Sequence, residues 1–544
     1  MRQGPGAPLR LRRAGEPPGR HGRALPGRRD QNTGDLEMRG SGPMRQALFS
    51  AAAFFCLSAA PAGGREPVVA GQFYPADPGE LASAVDKYLS PSGVKKPAGE
   101  AVAVLAPHAG YDYSGALAGL AYRFIADSYD TVVILATGHT EGVKGAALLG
   151  SDAYQTPLGK VLPDRELAAA LMKASPLFED RPSAHAREHA VEVQLPFLQR
   201  RLKRPFKLLA ATLNTGDPAA RKEIGTALAA ALKGKKALLV ISADFSHYPG
   251  RADAAASDGA LRLALESLDP DLFRTAAQFI ARKKIPGLDT CACGEAAIEA
   301  GLRAARLLGA KSFRTLKISD SYAENPRPGP DRVVGYISGL FLKSGAPASL
   351  ALDKAQKNAL LKEARLTLEN YFENIPPPER LEADPRLNLP GAAFVTLTRG
   401  GQLRGCVGTV EPAMTLADAV RYGAYSAALR DGRFSPVEKG ELPGIHIEIS
   451  VLSPMAPAAP GAIKPRVHGV LLVKDGKSGL FLPQVWEQIP GKEDFLGELC
   501  EQKAGLSRNC WRDPDAKIYS FTVDSFEERQ SPPASAPSAA AAAK

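Results

Sequence analysis

Val104-Leu-Ala-Pro-His108, Val133-Ile-Leu-Ala-Thr-Gly-His139 and Val240-Ile-Ser-Ala-Asp-Phe-Ser-His247 share one layout: a short apolar run that ends within a few residues in a histidine. An apolar run of this length reads as a strand buried on both faces, the kind that builds parallel sheets. The runs predict strands at 102–105, 131–135 and 237–241, and similar runs predict two more at 207–212 and 333–342. Helical spacing covers 80–89, 164–173, 218–232, 253–265 and 295–308. Strands alternating with helices predict an α/β domain with a mainly parallel or mixed sheet over about 66–345. Open sheets of this type bind ligands beyond the carboxyl ends of their strands, so the three histidines are expected on one rim. Any one of them could merely hydrogen-bond its own loop. Nothing about stability asks for all three.

A Gly-Ala-Pro-Ala-Ser linker at 345–349 precedes a second unit, expected over 352–528. It opens with a helix at 353–373 and continues with strands at 392–398, 446–452 and 470–474, an α+β order. Hydrophobic residues are 44% and charged residues 23% of the 544, which excludes a collagen, a disordered polymer and a polytopic membrane protein. Residues 1–43 hold nine Arg against four acids and so carry half of the net charge of +10. A basic domain for nucleic acid is therefore not indicated. Those 43 residues are expected to be disordered, or to lie upstream of a true start at Met44. Arg45, the apolar run 47–60 and Ala60-Pro61-Ala62 have the layout of a signal peptide over 44–62. It predicts export to the periplasm or beyond, a cytoplasmic location following if it is not one, and no transmembrane helix. The Pro/Ser/Ala tail at 529–544 is expected to be disordered. Six Cys are too few for a disulfide scaffold, although Cys500 and Cys510 could pair in an oxidising compartment.

Chemistry concentrates in the first domain. In Asp289-Thr-Cys291-Ala-Cys293-Gly, Asp289 or Thr290 is expected to cap the following helix and put a Cys near its first turn, where thiolate is favoured. Two His and one anionic ligand with open positions suit non-haem iron or copper; buried inert thiols are the plainer alternative. In Ser183-Ala-His185-Ala-Arg-Glu188-His189-Ala-Val-Glu192, helical spacing would place His185, Glu188, His189 and Glu192 on one face. That face would offer an acid/base His oriented by Glu192, or a solvated polar stripe. In the second unit, Arg404-Gly-Cys406-Val-Gly408-Thr409 either sets an Arg beside a reactive thiol or needs its glycines for backbone reasons around a buried Cys406. No phosphate loop, dinucleotide fingerprint or Ser-His-Asp signature is present.

These motifs carry a resemblance. Val69-Ala-Gly-Gln-Phe-Tyr-Pro75, Pro107-His108-Ala-Gly-Tyr111, Gly138-His139-Thr140, Glu188-His189-Ala-Val-Glu192, Ser242-Ala-Asp244-Phe-Ser-His247 and Cys293-Gly294 resemble the Memo family, protein B of the AmmeMemoRadiSam system, over about 66–343. Residues of about 355–528 resemble the AMMECR family, protein A of the same system, through Arg404-Gly-Cys-Val-Gly-Thr409, Asp431-Gly-Arg-Phe434 and Glu448-Ile-Ser-Val-Leu-Ser453. The whole chain looks like a B/A fusion. The resemblance implies a first-domain fold like that of class III extradiol dioxygenases, with His108, His139 and Cys293 as metal ligands and Cys291 as the competing thiol. It implies Fe(II), or copper, as the metal. Asp244, His247 and His189 match further positions of that pocket and are the expected catalytic groups. It also implies a link to a radical SAM protein. Two functions follow: a metal-dependent redox enzyme of unknown small-molecule or peptide substrate, or an adaptor whose cleft, with Tyr111, recognises an anionic peptide or modified nucleotide without chemistry.

Overall fold

The computed structural model describes residues 64–90, 93–327, 329–378 and 380–529. The expectations placed on 1–43, on the signal peptide at 44–62 and on the tail from 530 lie outside these residues.

The first domain contains β1 (Ala101–Ala106), β2 (Thr131–Thr137), β3 (Ala146–Leu148), β4 (Tyr154–Thr156), β5 (Gly159–Val161), β6 (Phe178–Asp180), β7 (Lys207–Leu213), β8 (Ala237–Ser242), β9 (Ser312–Asp320) and β10 (Gly335–Leu342). β4 and β5 form a small ribbon, and the other strands build one mixed sheet in the order β6-β3-β7-β2-β8-β1-β10-β9. β7, β2, β8 and β1 run parallel; β10 is antiparallel to β1, and β9 to β10. Its helices are α1 (Pro78–Leu89), α2 (Tyr111–Arg123), α3 (Arg165–Ala174), α4 (Pro182–Ala186), α5 (Leu195–Arg201), α6 (Pro218–Leu232), α7 (Arg251–Glu266), α8 (Pro270–Arg282), α9 (Glu295–Leu307) and α10 (Ser321–Glu324). Every residue of β1 and β2 is buried, and alternation sorts them by face. Val104, Ile134 and Val240 pack with α1, α2 and α5; Leu105, Leu135 and Ile241 pack with α6 and α9. Two covered faces explain why these strands read as unbroken apolar runs.

The second domain contains α11 (Lys354–Phe372), β11 (Pro390–Arg399), β12 (Gln402–Gly408), β13 (Met414–Thr415), α12 (Leu416–Leu429), β14 (Ile445–Leu452), β15 (Ala456–Pro457), β16 (Gly469–Lys474), β17 (Lys477–Phe481), α13 (Lys492–Glu498), β18 (Lys517–Phe521) and β19 (Val523–Glu527). One sheet runs β12-β11-β14-β19 and shares a core with α11 and α12. A smaller sheet, β15-β18-β16-β17, packs on Trp486 and Phe495, beside which Cys500 and Cys510 are disulfide-bonded. The turn Pro385–Asn388 joins the domains: Pro385 lies so close to Gly259 of α7 that a Cβ there would meet it at 2.7 Å. Lys283, just past α8, pairs with Asp418 of α12 at 2.7 Å. Among the described residues no helix is long and apolar enough to cross a membrane.

Two local expectations fail. Residues 185–192 do not form one helix: α4 ends at Ala186, the chain opens, and a tight turn at Glu192–Gln194 leads into α5. The polar side chains of this segment are drawn to different partners and so cannot share a face. Neither Asp289 nor Thr290 caps α9. Its N-cap is Gly294, without a side-chain bond, because the Thr290 carbonyl instead accepts from the His247 N–H at 2.9 Å.

Candidate metal centre

β1, β2 and β8 are parallel neighbours, so the loops that leave them emerge on the same rim with His108, His139 and Asp244. Hydrogen bonds then settle how each ring points. The Ser242 hydroxyl donates to the Ala190 carbonyl (2.7 Å) and accepts from the Gln194 amide (2.8 Å). Tyr122 donates to Gln194 Oε1 (2.8 Å), which fixes that amide's orientation. The one proton of Ser242 is thereby used, so at 3.1 Å His108 Nδ1–H must be the donor to it. His108 Nε2 is left with a free lone pair facing Cys293 Sγ at 3.0 Å. Burial, with the neighbouring His139 next, pulls the His108 proton affinity down to about 3, so the ring is neutral.

His139 is held differently. Its Nδ1–H donates to Glu188 Oε1 (2.9 Å) and its backbone N–H to Glu188 Oε2 (2.6 Å). Glu188 is fully buried; burial would raise its carboxyl, but the bonds from His139 and from Ala190 N–H outweigh this and bring it down to about 2. A charged carboxylate behind a ring that presents its other nitrogen is the arrangement metal-binding histidines use. His189 stacks on His139 (centroids 4.6 Å, 20° between planes) and meets His108 edge-on (5.6 Å). Burial, then His108 and His139, lowers it to about 4.

Cys293 immediately precedes the cap of α9. Its N–H donates to the Asp244 carbonyl (3.1 Å), and the Asp244 N–H points at its sulfur (3.3 Å). A Cβ on Gly294 would fall 2.6 Å from Ala243 Cβ, so only glycine lets this turn close on the end of β8. The thiolate expected from the helix start is not what the site favours. Burial, with Asp244 next, pushes the thiol well up, and its proton bridges to His108 Nε2. A cation binding here would replace that proton. Asp244 accepts from the His108 N–H (2.8 Å) and sets its other oxygen 3.9 Å from His108 Nε2; burial raises its carboxyl.

Among the described residues two sets of potential ligand atoms result, each lying within 4.8 Å of one another: His108, His139 and His189, and His108, Asp244 and Cys293. His108 belongs to both. The expected triad of His108, His139 and Cys293 thus straddles two overlapping groups. Cys291 is not part of either: it is buried against the Ala277 carbonyl, and burial pushes it up to about 12. His247 also lies outside both sets; its Nδ1–H donates to the Phe245 carbonyl (2.8 Å) and its ring packs on Tyr248. His185 is structural, lodged between Tyr154 and the Ala147 carbonyl.

Glu192 does not orient His189. It is fully buried and binds Arg65 (2.6 Å), Tyr74 and the N–H groups of Val68 and Val69. It holds the segment 65–74, which lays Phe73 against His189 at 4.9 Å. Tyr111 is buried and donates to the Val193 carbonyl, so it anchors this same region instead of lining an open cleft. Glu188, Ser242 and Gln194 had no role assigned by sequence; only the adjacency of Glu188 to His189 hinted at one. In the second domain Arg404 is spent on Glu441 and the carbonyls of Ser435 and Pro436, so it does not activate Cys406. Gly405 and Gly408 are needed for close approach: a Cβ would meet the Ala427 and Ala393 carbonyls at 2.0 and 2.2 Å.

Residues 65–340 match the family described as Memo-like protein. The chain belongs to the Memo family. Residues 361–526 of this Memo-family chain match the AMMECR1 family, so two family domains lie in one polypeptide. A MEMO1 family protein of Aquifex aeolicus is 36% identical over 281 residues, covering 51% of this chain and 99% of its own. One of Methanococcoides burtonii is 34% identical, covering 50% and 98%. A crystal structure of a Pyrococcus horikoshii protein described as uncharacterized shares 37% identity, covering 31% of this chain and 90% of its own, with a TM-score of 0.29.

Proposed function

We propose that the Memo domain is a non-haem metal-dependent redox enzyme, its fold that of the class III extradiol dioxygenases, with His108, His139 and Cys293 holding Fe(II) or, alternatively, copper. The observation that carries this is the pre-set lone pair: His108 Nε2 carries no proton of its own and accepts from a thiol 3.0 Å away, because Ser242 has fixed the opposite nitrogen. Two imidazoles and a displaceable thiol proton, with a carboxylate beside them, form a mixed N/S/O donor set that suits iron or copper. A metal bound there supplies electron transfer and polarises whatever shares its open positions. The chain's own groups do the rest. Glu188 orients His139, Asp244 sits beside the sulfur, and His189, neutral to about pH 4, is placed to take a proton from a bound substrate. His247, at the margin, is the second proton-handling group in this reading.

The rival reading, an adaptor for an anionic peptide or modified nucleotide, fares worse on charge. His108 and His189 are neutral, and Glu188 and Asp244 are the acids beside them, which disfavours an anion. Export through the 44–62 segment belongs to the same proposal, and the Cys500–Cys510 disulfide supports it, since such bonds persist in oxidising compartments. N-terminal sequencing of the exported protein tests that part. For the centre, wild type and Cys293→Ser are purified anaerobically and their iron and copper quantified. A sharp loss of metal in the variant is expected; unchanged content in both metals would sink the assignment.

A further inference from the structure

The turn that leaves β8 carries Asp244, Phe245, Ser246 and His247, and two elements that supply no donor atom grip it. Gly335, at the start of β10, bonds it twice: its N–H donates to the Ser246 carbonyl (2.8 Å), and its carbonyl accepts from the Phe245 N–H (2.8 Å). The Ser246 N–H is taken by Asp258 of α7, whose Oδ1 accepts it at 3.0 Å. A Cβ on Gly335 would fall 1.6 Å from Asp258 Oδ2, so only glycine there lets the acid reach the turn. Asp258 is buried, and the cations lining the cavity of about 430 Å³ beside it are spent elsewhere, Arg251 on Asp320 and Arg262 on Glu266. The same turn builds the thiol half of the donor set. Asp244 accepts from the Cys293 N–H at its carbonyl (3.1 Å) and from the His108 N–H at its carboxylate (2.8 Å), and its own N–H points at the Cys293 sulfur (3.3 Å). His247 ties the far end of the turn to Thr290 (2.9 Å) and Asp289 (3.0 Å), on the loop that leads to Cys293. A slip at Ser246 therefore reaches both Asp244 and that loop. A buried acid without a cation is a costly way to hold one N–H, and such local costs concentrate where a site needs its geometry fixed.

We propose that Asp258 is a positioning residue for the metal centre: through the Ser246 N–H it fixes the turn that sets Asp244 and the Cys293 sulfur against His108. This role rests on the metal reading above and adds to it a residue that stands outside both sets of donor atoms. Outer supports of this kind carry roughly 10–100-fold in metal affinity.

The test titrates the full chain with Co(II), whose bond to a thiolate gives an intense charge-transfer band in the near ultraviolet that bonds to imidazole do not give. Wild type is expected to show the band and Cys293→Ser to lack it. Asp258→Asn keeps an oxygen for the Ser246 N–H and is expected to keep the band, with Co(II) affinity within about twofold of wild type. Asp258→Ala removes that oxygen and is expected to lose most of the band and at least about tenfold in affinity, in a chain that circular dichroism shows to be folded. Asp258→Glu keeps the charge but carries its oxygens one carbon further; it is expected to behave like Asp258→Ala and replaces it should that variant misfold. An undiminished band and affinity in Asp258→Ala or Asp258→Glu, or an equal loss in Asp258→Asn, would overturn the role of Asp258 alone. Absence of the band from wild type would overturn the metal reading and this role together.

Discussion

At the residue scale, the site depends on which nitrogen of each imidazole carries the proton. His108 and His139 both keep Nδ1–H occupied, one on a hydroxyl and one on a carboxylate, and so both offer Nε2. Removing either support should leave the ligand present but loosely oriented, at a cost of roughly 10–100-fold in metal affinity. Ser242→Ala and Glu188→Gln are both expected to show this in a competition titration against a chelator of known affinity. Affinity within a factor of two of wild type in both would mean the rings are held by packing alone. The residues themselves pointed to His108, His139 and His247, each soon after a buried strand, to His189 through its spacing, and to one of Cys291 and Cys293; Asp244, and Cys293 over Cys291, came only from the family resemblance. Ser242 and Gln194 were not legible: a serine and a glutamine inside apolar stretches become meaningful only when their proton balance is worked out in space.

At the element scale, α7 meets β10 through an unusual contact. Asp258 of α7 is buried beside Gly335, where a Cβ would fall 1.6 Å from its carboxylate oxygen, and it accepts from the Ser246 N–H. Burial pushes its carboxyl from 3.8 up to about 7. The folded chain therefore keeps a proton that the unfolded chain has released between those values. Stability conferred by this group is largest at acid pH and falls as pH rises through that window, by up to on the order of 4 kcal/mol once above it. Asp258→Asn should flatten the pH dependence of denaturant midpoints between pH 4 and 7 and be more stable than wild type above it. Parallel pH profiles for the two proteins would exclude Asp258 as the source. The elements themselves were largely readable, since runs buried on two faces and amphipathic helices differ in period. The segment 185–192 was not, because its polar spacing fits a helix while its side chains find partners in four separate places.

At the scale of the whole molecule, the two domains pack through the turn at Pro385–Asn388, through Leu381 and Leu389, which enter the first domain's core, and through the Lys283–Asp418 ion pair, while the small C-terminal sheet has an aromatic stack and a disulfide. Closing a loop of about ten residues is worth roughly 2–3 kcal/mol. Reduction, or Cys500→Ala with Cys510→Ala, should lower the melting of the AMMECR1 domain and leave that of the Memo domain in place. Calorimetry in the presence and absence of reductant checks this; a shift confined to the Memo domain, or none, would show that the bond adds nothing to that domain.

The sequence by itself determined that the chain holds two domains of mixed α/β content and that His108 and His139 follow strands of one sheet. Those properties follow from local periodicity and from the rule that parallel strands end on the same side. Only the tertiary structure decided that Cys293 and not Cys291 faces the histidines, that His247 falls outside both sets of ligand atoms, and that Glu188 serves His139 while Glu192 holds 65–74. Each of these depends on which residues distant in the chain share a proton or exclude water, and spacing along one strand or helix carries no record of that.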